Sequence, residues 1–245
     1  MAGLTFLGIG AQKTATSWLD QMLRRHPDVG LPAKKEPHFW DTQELTTDAI
    51  RAYSRQFEAM PTPVNGEITP GYAIVAPAVI RAVHTHFPRL KLLYILRNPL
   101  ERAWSHAKMH VSMYKGTESL QGLDRVEDAW FVEHFHSDKS LSRGDYETCI
   151  RNWRAQFPGE QLALFMYEDL MGDPGAFLAA CCAHIGADPA FFQRFPREEL
   201  QEKYETSGHA AIRPSLLPTL RAIYAPKIKS LSRYLDVDLS GWLET

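Results

Sequence analysis

Three short stretches of this chain carry reactive side chains at spacings suited to a phosphate-bearing substrate. The first is GIGAQKTATSWL, Gly8–Leu19. An apolar run ends, Lys13 follows, and Thr14, Thr16 and Ser17 open what reads as a helix. Backbone N–H groups at a helix start lack intrahelical partners, and with the helix dipole they favour an anion. Lys13 adds a point charge and the hydroxyls add donors. Any one of these residues also suits an ordinary helix cap or a surface lysine; the cluster is what points to phosphate. A nucleotide kinase needs GxxxxGK[ST]. Aligned on Lys13 and Thr14, this chain has Leu7 and Gln12 where both glycines belong. The standard ATP loop is therefore broken, and a loop gripping a different phosphate arrangement stays open.

The second stretch is LRNPLERAWSH, Leu96–His106. Arg97 ends a strand-like run and Ser105 lies about two turns into the following helix. A guanidinium and a hydroxyl so placed can converge on one phosphate, with the arginine bonding in bidentate fashion. The competing reading pairs Arg97 with a carboxylate and leaves Ser105 on a helix surface. The third stretch is KKEPHFWD, Lys34–Asp41. Read by itself, it is a solvated charged loop anchored by Phe39 and Trp40. His106 and His110, one helical turn apart, are candidate bases whose other role is packing or hydrogen bonding.

Elements must hold these residues in place. Thr5–Gly10, Gly66–Ile68, Lys91–Leu96 and Gln161–Tyr167 read as strands. Helical spacing marks Thr14–His26, Thr46–Phe57, Ala76–Phe87, Pro99 to about Tyr114, Tyr146–Phe157, Pro174–Ile185 and Pro214–Leu235, with shorter helical pieces over Pro189–Tyr204. Strands alternating with helices predict an α/β fold with a central, mainly parallel sheet flanked by helices. Ligands in such sheets bind beyond the carboxyl ends of the strands, where the first two stretches begin. Residues 115–142 are polar and mixed in period, which predicts a mobile or substrate-facing insert in an otherwise single domain spanning 1–245.

Composition excludes several classes. The formal net charge of −2 argues against a nucleic-acid binder. Three cysteines without a CxxC pattern read as core thiols, so neither a metal site nor a disulfide framework is expected. No run approaches the roughly 18 apolar residues of a membrane span. With a strand-like start and no leader pattern after Met1, a cytoplasmic location is the expectation.

The first two stretches together resemble the sulfotransferases that use 3′-phosphoadenosine 5′-phosphosulfate (PAPS). Lys13-Thr14-Ala15-Thr16-Ser17 is similar to that family's 5′-phosphosulfate loop, with Ala15 where glycine is usual. Arg97-Asn98-Pro99, Arg102 and Ser105 are similar to its 3′-phosphate segment. Gly144-Asp145-Tyr146, Trp153 and Tyr167-Glu168-Asp169-Leu170 extend the likeness along the chain. KKEPHFWD resembles a segment of the heparan-type and related bacterial members. The resemblance implies a P-loop-like nucleotide-binding topology, PAPS as sulfuryl donor and no metal. It implies donor contacts from Lys13, Thr14, Ala15, Thr16, Ser17, Trp18, Arg97 and Ser105. Arg213 would join them near the C-terminal end, where Ser207-Gly208 to Arg213-Pro214 falls on a loop that closes over the nucleotide; a surface arginine at a helix start is its other reading. Glu36 would be the catalytic base, assisted by His38 and by Lys13 on the leaving group. Lys35, Asp41 and Tyr72, in the TPxY-like turn Thr69–Tyr72, would face a small-molecule or carbohydrate-like acceptor. The alternatives are an ATP-dependent small-molecule kinase on a related fold and a non-catalytic nucleotide-binding protein. Neither the acceptor nor the oligomeric state is legible.

Overall fold

A computed structural model describes residues 3–115, 120–201 and 211–244. Contacts divide the chain into two compact units: 1–96 with 150–204, and 97–149 with 205–245. The fold is α/β, with five parallel strands flanked by helices.

The first unit holds the sheet. Strands β1 (Leu4–Gly10), β2 (Val29–Gly30), β3 (Val64–Ile68), β4 (Lys91–Leu96) and β5 (Leu162–Met166) run in the order β2-β3-β1-β4-β5. Every pairing is parallel, as in Leu7↔Glu67 between β1 and β3 and Leu7↔Leu92 between β1 and β4. Parallel strands covered on both faces read as continuous apolar runs, and LTFLGIG and KLLYIL are such runs. Between the strands come α1 (Thr16–Leu23), the single turn α2 (Phe39–Thr42), α3 (Thr47–Glu58) and α4 (Pro77–His86). Phe6, Trp18, Leu19, Met22, Leu93, Ile95, Phe177, Leu178, Cys181 and Cys182 share one buried core. Each large apolar side chain there contributes about 1.5–3 kcal/mol by leaving water.

The second unit opens with α5 (Pro99–Lys115), followed by α6 (Asp128–His136), α7 (Asp138–Arg143) and the start of α8 (Tyr146–Arg154). The chain then returns to the first unit through α9 (Tyr167–Gly172), α10 (Pro174–Ile185) and α11 (Arg197–Gln201), and α12 (Leu217–Leu235) belongs to the second. The sequence signals for α10 hold to the residue. Asp173 caps its start by accepting the Ala176 N–H, Pro174 begins it, and Gly186 ends it at φ 86°.

Two expectations change. Residues 128–143, most of which were read above as part of a mobile or substrate-facing insert, form two helices whose Phe131, Phe135 and Ser140 are fully buried. Phe131 and Phe135 anchor α6, and Ser140 is the buried residue of α7; residues 116–119 lie outside the described residues. The first helix begins at Thr16 rather than Thr14, because Lys13 (φ 74°) and Ala15 (φ 59°) adopt left-handed conformations that a helix cannot contain.

Candidate active site

The loop between β1 and α1 is a sequence of turns rather than a helix start. Gly10, Lys13 and Ala15 all have positive φ. Alternating right- and left-handed residues turn successive N–H groups towards one side and form an anion-binding concavity. No side chain caps the first turn of α1. Thr14 is buried, and its hydroxyl donates to the Ala11 carbonyl at 2.7 Å, tightening the loop. Thr16 is buried, Lys13 half-buried and Ser17 exposed. Ala15 stands where the conformation favours glycine. Trp18 departs from expectation. Its ring is buried in the core beside Phe177 and its indole N–H donates to the Leu200 carbonyl at 2.8 Å. No ring face is left for a nucleotide base, and only its main chain borders the loop.

The KKEPHFWD segment gathers four charged or titratable groups. Lys35 Nζ lies 2.9 Å from Glu36 Oε1, and His38 Nε2 lies 3.1 Å from Glu36 Oε2. On its other side, His38 Nδ1 lies 2.9 Å from Asp41 Oδ2. Glu36 is 30 % exposed and Asp41 19 %, so the carboxylates are reachable yet held. His38 reaches both partners because it sits at φ 54°, a left-handed position that histidine tolerates better than most residues. Pro37 before it and α2 after it fix the turn. Phe39 stacks on Tyr53 at 4.2 Å, and Trp40 is buried beside them, which anchors the segment.

A turn after β3 underlies both loops. Thr69 N–H donates to the Gly8 carbonyl of β1 at 2.9 Å, and residues Pro70–Ile74 follow as a 3₁₀ turn. A β-carbon on Gly10 would meet Ala73, Tyr94 and the Pro70 carbonyl at 3.1–3.2 Å. One on Gly71 would lie 2.3 Å from Asp41 Oδ2. A side chain at either position would therefore press on its neighbours, at Gly10 under the loop after β1 and at Gly71 under the His38–Asp41 pair. Tyr72 also departs from expectation. It is fully buried and cannot line an acceptor cleft. Its hydroxyl accepts the Phe39 N–H at 2.9 Å and donates to Glu67 Oε1 at 2.8 Å. Glu67 was not singled out from the sequence, and it is the buried centre of this region.

In the second unit, Arg97 bonds Glu101 through Nε (3.1 Å) and Nη2 (2.8 Å), the carboxylate pairing weighed above. Its carbonyl accepts the Tyr146 hydroxyl at 2.9 Å, which orients the backbone there. Ser105 is buried in α5. Arg102 is fully buried and donates to the Ser140 carbonyl at 3.0 Å. Arg213 is committed elsewhere than a nucleotide. Its guanidinium pairs with Asp128 at 2.6 Å, donates to the Val126 and Leu123 carbonyls and covers the Phe131 ring. These contacts clamp the segment before α12. Ser207-Gly208 lies outside the described residues.

His106, His110 and His134 meet ring to ring, with centroids 4.5–5.0 Å apart and His134 Nε2 3.0 Å from His106 Nδ1. Burial first, then the charge of Arg102, holds His106 down at about 2. Burial likewise lowers His134 to about 4. These are packed neutral imidazoles, the second of the two readings above. Among the described residues, no group of three or more His, Cys, Asp or Glu side chains is arranged to hold a metal ion, and no helix is long and apolar enough to cross a membrane.

The loop after β1, the charged segment and the turn beneath them lie in an α/β fold of the P-loop-like class. Residues 5–207 match the sulfotransferase domain family, and the chain belongs to the sulfotransferase family. Mouse heparan sulfate glucosamine 3-O-sulfotransferase 6 is 31% identical over 266 residues, covering 96% of this chain and 72% of the relative. The human protein of the same name is 30% identical over 180 residues, covering 68% and 47%. The crystal structure of a sulfotransferase from Alicyclobacillus acidocaldarius superposes with a TM-score of 0.73 at 26% identity, over 99% of each chain. Mouse sulfotransferase SULT7A1 complexed with PAP shares the fold, with a TM-score of 0.58 at 16% identity over 95% and 87%. Sulfuryl transfer is the chemistry of this chain.

Proposed function

We propose that this chain moves a sulfuryl group from PAPS to a hydroxyl or amine on a carbohydrate-like or small-molecule acceptor, with Glu36 as general base. The observation that carries the reading is the chain of contacts Lys35–Glu36–His38–Asp41. Asp41 accepts the Nδ1 proton of His38. The Nε2 of a neutral His38 then has a lone pair facing Glu36 Oε2, and two acceptors cannot bond without a proton between them. A His38 that donates from both ring nitrogens, to Asp41 and to Glu36, orients Glu36 as a carboxylate able to take the acceptor's proton. Lys35 on Oε1 fixes the carboxylate's direction and offsets its charge. Glu36 keeps further lone pairs for an acceptor proton within hydrogen-bond reach.

The turns at Lys13 and Ala15, the uncapped start of α1 and the Lys13 charge fit a phosphate. When bound, PAPS supplies a sulfuryl group already activated by attachment to the 5′-phosphate. Lys13 and the loop N–H groups would bind that phosphate and offset the charge left on it as the acceptor's oxygen or nitrogen takes the sulfuryl group. Thr14, Thr16 and Ser17 shape the loop. The family resemblance of Arg97 and Ser105 supports a 3′-phosphate role, with Arg97 exchanging Glu101 for phosphate.

The experiment is a thermal-shift and turnover pair. 3′-Phosphoadenosine 5′-phosphate should stabilise the protein far more than ATP or AMP. Transfer of label from ³⁵S-PAPS to heparan sulfate and to pools of small hydroxyl and amine compounds identifies the acceptor class. Glu36→Gln should then cut turnover by about 100-fold or more, within the range for a lost general base, with nucleotide binding kept. Undiminished turnover in Glu36→Gln would reject the base assignment. Equal shifts from ATP would favour the kinase reading.

A further inference from the structure

We infer that Glu67 is a positioning residue for the reaction, holding the Glu36–Asp41 segment through the Tyr72 hydroxyl. The inference rests on the proposed role of that segment and assigns its buried support.

Glu67 lies on β3, the strand next to β1, and is 1% exposed. Its carboxylate receives three hydroxyls and no cation's hydrogen bond among the described residues. Tyr53 donates to Oε1 at 2.6 Å, Tyr72 to Oε1 at 2.8 Å and Thr69 to Oε2 at 2.6 Å. A carboxylate buried without a cation is costly, and satisfying it with three donors is the least a fold must do to keep it. A purely structural core would be served as well by an apolar side chain. The distinctive consequence of a carboxylate is direction. Burial pushes the Glu67 carboxyl above its ordinary value, and the three hydroxyls oppose that by favouring the carboxylate; as a carboxylate it only accepts, so each hydroxyl points its single proton inward.

For Tyr72 that direction matters. With its proton committed to Glu67, its oxygen presents only lone pairs on the other side, where the Phe39 N–H donates at 2.9 Å and the Trp40 N–H lies at 3.5 Å. Those amides open α2 directly after His38. Tyr72 thus acts as the N-terminal cap of that one-turn helix, supplied from another segment, because His38 makes no side-chain cap. The same turn is pinned on its far side, where Trp153 Nε1 donates to the Tyr72 carbonyl at 3.2 Å and the Thr69 N–H to Gly8. Glu67 therefore sets the proton direction, Tyr72 passes it to the Phe39 amide, and the turn at His38 keeps Glu36 and Asp41 on opposite nitrogens of one ring. Tyr53 shares the carboxylate and bonds no amide of the segment, which makes it the internal control.

The test compares Glu67→Gln, Tyr72→Phe and Tyr53→Phe in the full chain. Glutamine keeps the shape and turns one carboxylate oxygen into a donor, which opposes a hydroxyl proton. The first readout is amide hydrogen exchange at Phe39, with global stability measured by urea unfolding. Glu67→Gln and Tyr72→Phe should speed exchange at Phe39 by about tenfold, the opening expected for loss of one net hydrogen bond of about 1–1.5 kcal/mol. Tyr53→Phe should leave it near wild type. The second readout is turnover of ³⁵S-PAPS with the acceptor found by the screen. Both linked variants should lose about 10- to 100-fold in kcat, as small misplacements do, with KM for the donor within about twofold. Their double variant should be no worse than either alone, since both act through one contact.

Wild-type exchange at Phe39 in both linked variants would overturn the inference, whatever Glu36→Gln shows. So would multiplicative losses in the double variant, or an equal kcat loss in Tyr53→Phe. If Glu36→Gln retains turnover while exchange at Phe39 still responds to Glu67, the base assignment fails and the positioning of the segment stands.

Discussion

Acidification should weaken this fold through His106, and the size of the effect follows from its surroundings. The imidazole is 2% exposed and hydrogen-bonds His134. Its charged neighbours are Arg102 on its own helix and Arg143 on α7, and the other rings facing it are His110 and His134. All of these disfavour a second proton, and burial does so most. Its folded value is held at about 2, against 6.5 for an unhindered histidine. Stability is therefore complete above the unfolded value and is lost as pH falls below it, because only the unfolded chain takes up the proton. Between pH 8 and pH 5 the linkage is RT ln(1 + 10^1.5), or about 2 kcal/mol from this one residue. Urea unfolding followed by tryptophan fluorescence at both pH values measures it. His106→Asn should be less stable at pH 8, since it leaves a gap, and its difference between pH 8 and pH 5 should shrink by about 2 kcal/mol relative to the parent. A variant that keeps the parental pH dependence would show that His106 is not the buried neutral group described here.

Gly71→Ala should disturb the site from beneath. Its β-carbon would lie 2.3 Å from Asp41 Oδ2, so the carboxylate must shift against His38. Turnover of ³⁵S-PAPS should fall about tenfold or more, with binding of 3′-phosphoadenosine 5′-phosphate by calorimetry changed less than about twofold; parental turnover would refute the packing argument. Ala15→Gly should relieve a left-handed alanine at φ 59°. A gain of up to about 1 kcal/mol, or about 2–4 °C in Tm, is expected, and a clear fall in Tm would contradict the assigned backbone. The thiols of Cys149, Cys181 and Cys182 are all buried, and burial lifts Cys182 to about 12. An aromatic disulfide reagent should label none of them until urea unfolds the protein; rapid labelling of the native protein would place a thiol at the surface.

The elements legible in the sequence were those with redundant signals. Strands β1 and β4 are apolar at nearly every position because helices cover both faces, and α10 carries a cap, a proline and a terminating glycine. Strand β2 has two residues and α2 one turn, too short for any period to register. The left-handed residues at Lys13, Ala15 and His38 had no glycine to announce them, so the first helix was read two residues early. Glu36, His38 and Asp41 were singled out through the resemblance of KKEPHFWD, and the structure brings the three side chains into contact. Trp18 and Tyr72 were placed at the ligand because sequence does not say which way a side chain faces, and both face inward.

Glu67 escaped notice for a different reason, since a glutamate in a three-residue strand such as Gly66–Ile68 fits a solvent-facing edge. The topology removes that reading. In VNGEI the strand lies between β2 and β1, and all five of its residues are buried. A strand with two parallel neighbours and covered faces has no solvent side to which alternation could send a polar residue. Any acid in it must be met by donors from nearby chain, and Tyr53, Thr69 and Tyr72 are those donors. Once β3 is placed inside the sheet, the acid and its tyrosines imply each other. The Tyr72 hydroxyl, bonded to that acid on one side, has its remaining lone pairs aimed at the Phe39 amide, which is how a buried strand comes to bear on the segment that carries Glu36.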